Sequence, residues 1–164
     1  MIRLLAATDR KLGIAKKGVL PWCIPEDEKY FTDQTKTLGG HVLTGGVTFR
    51  VTYHGPLKDR HNYILTRDPT PIPGTTVVND LKKFLDDFKQ DDLWVAGGAA
   101  VFNEVMDLGR AEVLYLTHID ADFGCDRFFP EFNKEDYVLT SQSEPREQNG
   151  FHFYYAVYTR QDLA

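Results

Sequence analysis

The stretch LWVAGGAAVFNEVMDLG, residues 93–109, predicts a buried strand that passes through two glycines directly into a helix. Leu93–Ala96 is a short apolar run of the kind that forms interior strands. The helix is predicted by apolar side chains that share one face, namely Val101, Phe102, Val105 and Met106. Gly109 marks the end of that helix. A strand followed at once by a helix is the repeating unit of a parallel sheet.

The same alternation extends over the rest of the chain. Further strand-like runs are Ile2–Ala7, His41–Thr44, Asn62–Thr66, Thr76–Val78 and Val113–Ile119. Between two of them, NDLKKFLDDFKQ (residues 79–90) predicts an amphipathic helix with Asp80 as its cap. At the end, YVLTSQSEP (137–145) and GFHFYYAVYTR (150–160) predict an antiparallel hairpin joined by the polar turn EPREQNG (144–150).

The predicted fold is therefore a single α/β domain over residues 1–164. Its central sheet is twisted and mostly parallel, with helices on both faces and the antiparallel hairpin at one edge. A length of 164 residues, 42% hydrophobic and 26% charged, is that of an ordinary globular domain.

Charge and cysteine content narrow the classes of partner and compartment. The net charge is −5 and no basic stripe is present, which argues against nucleic acid as a partner. The first apolar run is too short for a signal peptide or a membrane span, so we expect a cytoplasmic protein without a membrane partner. Cys23 and Cys125 match no metal or redox spacing and are expected to be free thiols.

The segment VLPWCIPEDEKYFTDQTK, residues 19–36, supplies the most informative carboxylate. Glu26 and Asp27 fall in the first turn of a predicted helix, where helix capping alone would account for both acids. Helical spacing also puts Asp27 on one face with Phe31 and with Gln34 or Thr35. In that case Asp27 lies against apolar surface, and desolvation raises its pKa unless a donor or cation pairs with it. The sequence leaves both interpretations open.

Two strand-to-helix junctions carry paired glycines, HVLTGG (residues 41–46) and VAGG (95–98). Such a junction suits a phosphate, because the backbone is open to close approach and the helix offers unpaired N–H groups. Tight turning alone explains most single cases, but two in one sheet favour a nucleotide at the carboxyl ends of the strands. Arg60 and Arg67 could each hold an anion, or could equally be solvated loop residues.

Metal binding and nucleophilic catalysis are not favoured by the sequence. DADFGCDRFFPEF, residues 120–132, spaces its acids roughly as a calcium loop does. However, Cys125 stands where that loop needs glycine, and a strand precedes the segment where a helix should. Cys23 has no evident base beside it. No metal is therefore expected.

Taken together, these segments resemble the dihydrofolate reductase family over nearly the whole chain. The resemblance rests on LLAAT (4–8), GIAKKGVLPW (13–22), the P-x-D-x-x-x-F-x-x-x-T pattern of residues 25–35, GPLKDRHNYILTR (55–67), VAGGAAVF (95–102), LYLTHIDADF (114–123) and FFPEF (128–132). It implies reduction of 7,8-dihydrofolate to 5,6,7,8-tetrahydrofolate by hydride transfer from NADPH, in one-carbon and thymidylate metabolism. We expect a monomer whose partner is this small-molecule substrate.

The resemblance assigns roles to individual residues. Asp27 would accept hydrogen bonds from the pterin with support from Thr117, and Leu20 and Trp22 would complete the catalytic set. The substrate slot would be lined by Leu5, Ala6, Ala7, Phe31 and Leu57, and Arg60 would clasp the glutamate α-carboxylate. The cofactor would be bordered by Ala7, Ile14, Leu20, Gly45, Gly46, Thr48, Thr66, Arg67, Gly97, Gly98, Ala99, Val101 and Phe102. A cis peptide would join Gly97 to Gly98.

One departure from the family and two rival functions bear on this interpretation. The family usually has a basic residue where Gly46 stands, so only Thr66 and Arg67 are left as contacts for the cofactor's 2′-phosphate. The rivals are a riboflavin-pathway reductase of the same fold and a nucleotide- or folate-binding module without turnover. The first should lack the Pro-x-Asp-x-x-x-Phe helix and the arginine after GPL, both of which are present. A steady-state assay distinguishes the second.

Overall fold

The computed structural model describes residues 1–164 and contains eleven strands and four α-helices. The strands are β1 Ile2–Thr8, β2 Gly13–Ala15, β3 His41–Gly45, β4 His61–Leu65, β5 Thr75–Val78, β6 Leu93–Val95, β7 Val113–Ile119, β8 Arg127–Phe128, β9 Tyr137–Gln142, β10 Arg146–Gln148 and β11 Phe151–Arg160. The helices are α1 Pro25–Thr35, α2 Gly46–Thr48, α3 Leu81–Asp87 and α4 Ala99–Asp107. A π-helical turn over Phe49–Tyr53 continues α2, and a 3-10 turn at Gln161–Leu163 follows β11.

Nine strands form one mixed sheet in the order β10-β11-β7-β1-β6-β3-β4-β5, with β9 also paired to β11. All neighbours from β7 to β5 are parallel, whereas β11 is antiparallel to β7, β9 and β10. The predicted α/β architecture with an antiparallel edge is confirmed. The six strands predicted in the first part of the chain agree with the structure to within one residue at each end.

The prediction of antiparallel strands at the C-terminus was correct, but it missed one strand. The segment predicted as a polar turn contains β10, whose Arg146 and Gln148 pair with Phe153 and Phe151 of β11. The hairpin is thus a three-stranded arrangement in which β9 and β10 both pair with β11. Every residue of β10 is polar, so no alternation of apolar side chains signalled a strand. The short pair β2 and β8 was missed because each strand is too short to show a period.

Side chains alternate across the sheet and therefore build a core on each face. Leu4 belongs to the main cluster, which also includes Leu85 of α3 and Val105 of α4. The adjacent Leu5 points the other way, into a second cluster packed against α1 through Tyr30 and Phe31. Helices consequently cover both faces, as predicted. No helix combines the length and the apolar character needed to cross a bilayer.

Local signals account for the helix ends. Asp80 precedes α3 and its side chain accepts a hydrogen bond from the backbone N–H of Lys83 at 3.1 Å, which confirms the predicted cap. Gly109 follows α4 with φ of 68°, a left-handed conformation that favours glycine. Pro25 opens α1, where its missing N–H costs nothing.

Candidate active site

Asp27 lies on α1 and faces the carboxyl end of β7. The Thr117 hydroxyl donates a hydrogen bond of 2.6 Å to Asp27 Oδ1. A narrow cavity beside them is lined by Leu5, Ala6, Ala7, Asp27, Tyr30, Phe31 and Thr117. Glu26 turns away from this cavity, and its carboxylate pairs with Arg146 of β10 at 2.6 Å. Of the two interpretations of Asp27, the structure favours a carboxylate in an apolar slot over a solvated cap.

The surroundings of Asp27 change its acidity. Burial raises the pKa of Asp27 to about 6, and the nearby Glu28 and Glu26 add to the increase, whereas the Thr117 hydrogen bond opposes it. At pH 7 most molecules still carry the ionised form. Asp27 is therefore an anionic acceptor whose charge is poorly solvated, and a ligand with paired N–H donors would stabilise it.

Aromatic rings form the walls of the slot. Phe31 stacks against Tyr53 with ring centroids 5.5 Å apart, and Tyr30 stacks against Tyr155 at 4.0 Å. Leu57 packs in the same cluster as Leu5 and Phe31. Two stacked pairs and aliphatic side chains make a flat apolar surface, which suits a planar heterocycle.

Arg60 is half-buried and held at the α1 side of the slot. Its Nε donates to the backbone carbonyl of Lys58 at 2.9 Å, and NH1 donates to Thr35 Oγ1 at 2.8 Å. Thr35 is in turn buried and donates to the carbonyl of Phe31 at 2.8 Å. Burial lowers the pKa of Arg60 from its usual value, although the guanidinium stays charged. The remaining N–H groups are free for an anion.

The two glycine junctions meet at the carboxyl ends of β3 and β6. The backbone N–H of Gly45 donates to the carbonyl of Gly97 at 2.7 Å. A Cβ at Gly98 would lie 2.8 Å from Thr48 Oγ1, so this approach requires glycine. The peptide bond between Gly97 and Gly98 is cis, as the resemblance implied. The nine-residue helix α4 begins at Ala99 without a side-chain cap, which leaves its first N–H groups open to a phosphate.

The segment that carries Leu20 and Trp22 is anchored at its base. Asp9 is 2% exposed, and its carboxylate accepts from the backbone N–H groups of Lys11, Gly13 and Phe123 at 2.9, 2.7 and 3.2 Å. Leu20, near the tip, is 46% exposed. Trp22 is buried, and its indole Nε1 has no hydrogen-bond partner within the chain.

Other residues assigned to the cofactor lie either in the core or directly after β4. Ile14, Val101 and Phe102 are buried in the main cluster. The Phe102 ring lies 3.2 Å from the point where a Cβ at Gly97 would stand, so it supports the glycine turn from within the core. Thr66 and Arg67 follow β4, and Arg67 is exposed.

This geometry agrees with the comparisons to known proteins. The family model described as "Dihydrofolate reductase" matches residues 1–160. The chain belongs to the dihydrofolate reductase family. It is 33% identical over 167 residues to the dihydrofolate reductase of Bacillus subtilis (strain 168), with 99% of this chain and 96% of the relative covered. It is 32% identical over 178 residues to that of Aedes albopictus, with 96% of each chain covered.

A solved structure agrees over the same extent. The dihydrofolate reductase from Enterococcus faecalis, complexed with NADP(H) and RAB-propyl, superimposes with a TM-score of 0.86 at 28% identity. The match covers 99% of this chain and 97% of that one. The reduction of dihydrofolate to tetrahydrofolate by NADPH is thus the reaction of this chain, and the riboflavin-pathway alternative is set aside.

Sequence reasoning missed several residues of this candidate site. Tyr30 lines the cavity and Tyr155 stacks on it, but their spacing indicated only a helix surface and a strand. Asp9 was not singled out in the sequence. Its position directly after a buried strand was the available signal, because a buried acid must find donors.

Replacing Asp9 by alanine is expected to lower the free energy of unfolding by about 2–3 kcal/mol, because three backbone N–H groups lose their acceptor. Urea denaturation measures the loss. Asp122→Ala is the matched control, since Asp122 is an exposed acid that accepts from the N–H of Gly124 near the Phe123 contact. Equal losses in the two variants would contradict the anchoring role of Asp9.

Replacing Gly97 by alanine is expected to cost about 3 kcal/mol of stability and to weaken NADPH binding. Its φ of 105° is strained for alanine, and the added methyl group would press on the Phe102 ring. Gly109→Ala shares the positive φ but meets nothing within 4 Å, so about 1 kcal/mol is expected there. Chemical denaturation and NADPH fluorescence titration test both effects. A Gly97→Ala protein as stable as Gly109→Ala would refute the steric argument.

Proposed function

We propose that Asp27 orients the pterin of dihydrofolate and sets its protonation. The observation that carries this role is the Asp27–Thr117 hydrogen bond inside an apolar slot. Thr117 occupies one lone-pair position of the carboxylate, and the others accept the pterin ring N–H and its 2-amino group. An amide could accept only one of these two bonds, because its nitrogen is a donor.

The chemistry requires a proton as well as a hydride. NADPH, when bound, supplies the hydride that adds to C6 of the pterin, and N5 must gain a proton to give tetrahydrofolate. Asp27 contributes a negative charge in a poorly solvated site, which favours protonation of N5 by water. Asp27 therefore acts as an orienting and electrostatic group. Trp22, whose buried N–H lacks a partner, would donate to the polar edge of the substrate or to a water there.

The remaining roles in substrate binding follow from position. Leu5, Ala6, Ala7, Phe31 and Leu57 would hold the pterin and aminobenzoyl rings through apolar contact, which two buried clusters and the cavity lining support. Arg60 would bind the glutamate α-carboxylate through N–H groups that Thr35 and Lys58 do not use. Leu20, exposed near the loop tip, would close over the reacting rings and exclude water.

The glycine junctions fit a dinucleotide. A methyl group at Gly98 would collide with Thr48, and the start of α4 has no side-chain cap. The residues that would hold NADPH are Ala7, Ile14, Leu20, Gly45, Gly46, Thr48, Thr66, Arg67, Gly97, Gly98, Ala99, Val101 and Phe102. Because Val101 and Phe102 are buried, we assign them backbone contacts and support of the turn.

We also propose that residues 1–164 act as one monomeric domain in the cytoplasm. Each of the three buried clusters is completed within this chain, which supports a monomer. Cys23 and Cys125 are free, as is usual in a reducing compartment, and burial raises the pKa of the Cys125 thiol to about 11. Sedimentation equilibrium should give 18.7 kDa, and twice that mass would contradict the monomer.

The reaction is tested by following absorbance at 340 nm with dihydrofolate and with each reduced nicotinamide cofactor in turn. We expect oxidation of NADPH that depends on dihydrofolate and stops when it is consumed. Oxidation without that dependence would rule out the function, and binding of both ligands without turnover would favour the non-catalytic alternative.

A further inference from the structure

Arg50 lies beside the cofactor glycines, and the Asp68 carboxylate, which interacts with it electrostatically, is too far away to form an ion pair with it. It lies one helical turn after Gly46, on the exposed side of the π-helical turn. Arg50 and Arg67 are the only arginines of the chain whose guanidinium makes no hydrogen bond or ion pair. The others donate as follows: Arg3 to Asp92, Arg10 to Asp120, Arg60 to Thr35, Arg110 to Asp86, Arg127 to Asp126, Arg146 to Glu26 and Arg160 to Asp162.

The Arg50 guanidinium lies close to where a side chain on residue 46 would begin, and Gly46 has no side chain there. A Cβ placed on Gly46 would lie 3.4 Å from Arg50 NH1 and 3.5 Å from Thr66 Cβ. Arg50 and Thr66 therefore converge on the space that a side chain at position 46 would enter. A cation from one turn further along the helix thus reaches the place that Gly46 leaves open.

The chemistry of this place suits a phosphate. The protein carries a net charge of −5, so an anion can bind only where local cations and donors outweigh the overall field. Here the Arg50 guanidinium and the Thr66 side chain border the same space, at the carboxyl ends of β3 and β4. The Thr66 hydroxyl accepts from the backbone N–H of Asp68 at 3.2 Å, and its own hydrogen remains a donor for an anion. Parallel sheets bind their ligands outside these strand ends.

The strand order separates this place from the pyrophosphate site. The uncapped start of α4 follows β6, whereas Thr66 follows β4, two strands away and roughly 10 Å along the sheet. A dinucleotide with its pyrophosphate at α4 extends its adenosine half along this edge. We infer that Arg50 binds the 2′-phosphate of NADPH in place of the side chain that Gly46 lacks, and so sets the preference for NADPH over NADH. This rests on the proposed binding of NADPH at the glycine junctions.

Binding of adenosine 2′,5′-bisphosphate and adenosine 5′-monophosphate by calorimetry tests the inference without turnover. Arg50→Ser is expected to weaken the bisphosphate roughly tenfold to a hundredfold and to leave the monophosphate unchanged. Lys134→Ser, which removes an equal charge from an exposed loop position, is expected to change neither. Equal weakening of both nucleotides by Arg50→Ser, or no weakening of the bisphosphate, would overturn the inference.

A rescue variant separates a lost contact from a lost fold. In the double variant Gly46→Arg with Arg50→Ser, the new Cβ meets only Thr66 and the Leu65 carbonyl at 3.5 and 3.6 Å, which is ordinary contact. The arginine at position 46 should restore the affinity for the bisphosphate. Failure to restore it would count against a phosphate position shared by residues 46 and 50.

In kinetics, Arg50→Ser should raise KM for NADPH tenfold or more with kcat and KM for NADH unchanged. If the unmodified protein oxidises neither cofactor with dihydrofolate, the proposed function itself fails, independently of Arg50.

Discussion

Asp27→Asn is expected to lower kcat for dihydrofolate reduction at pH 7 on the order of a hundredfold or more. The amide keeps the shape of the side chain and can still accept the Thr117 hydrogen bond. It cannot accept two N–H donors of the pterin, and it places no negative charge beside N5. Single-turnover oxidation of NADPH, measured by stopped flow, reports the chemical step directly. Asp33→Asn is the matched control on the same helix, since Asp33 is exposed and pairs only with Lys29.

The same substitution is expected to stabilise the ligand-free protein. Asp27 has a pKa of about 6 in the folded protein against 3.8 in its ordinary state, so the folded form binds more protons between these values. The free energy of unfolding therefore falls as the pH rises from about 4 to about 6, and the loss reaches at most about 3 kcal/mol above that window.

The amide of the Asp27→Asn variant does not ionise, so the variant should escape this loss. Denaturation curves at pH 4 and pH 7 measure the difference. A variant that is inactive but no more stable at pH 7 would show that the carboxylate is better solvated than its surroundings indicate.

Arg60→Ala is expected to raise the dissociation constant of dihydrofolate by at least about thirtyfold, because the glutamate α-carboxylate loses a half-buried, charged partner. Fluorescence titration of the protein with dihydrofolate measures the change. Dihydropteroate, which lacks the glutamate, should bind both proteins equally well. Arg60→Lys keeps the charge but not the fork of donors, and an intermediate affinity is expected.

The comparison of dihydrofolate with dihydropteroate makes the Arg60→Ala prediction specific to the glutamate α-carboxylate. Loss of Arg60 also removes the hydrogen bond to Thr35, which could loosen α1 and weaken any ligand of the slot. If dihydropteroate binding falls as much as dihydrofolate binding, the effect is on the slot as a whole and the carboxylate assignment is wrong.

The parts of the fold that the sequence predicted are those with a strong hydrophobic period. The interior strands and the helices α3 and α4 follow directly from such patterns, with Asp80 and Gly109 marking ends. β10 and the pair β2 and β8 could not be predicted, because they are short and their side chains carry no alternation. Their pairing depends on the strands beside them, which is information from the tertiary structure.

The residues of the candidate site also divide into those that a local pattern predicted and those that it did not. The face shared by Asp27 and Phe31 was readable from helical spacing, but its partner Thr117 came only through resemblance, because 90 residues separate Thr117 from Asp27 along the chain. The donors that surround Asp9, and the approach of Arg50 to Gly46, depend on how separate elements meet. No local pattern could have indicated them.

The ion pair between Glu26 and Arg146 has a consequence for the charge that a substrate meets. Three acids, Glu26, Asp27 and Glu28, stand in the first turn of α1, and a strand from the far end of the chain neutralises only the first. In the proposed binding mode, the pterin therefore faces the Asp27 anion without the free charge of Glu26 beside it. The net charge at the mouth of the slot thus depends on an ion pair between segments that are distant in the sequence, and this ion pair lies outside the slot.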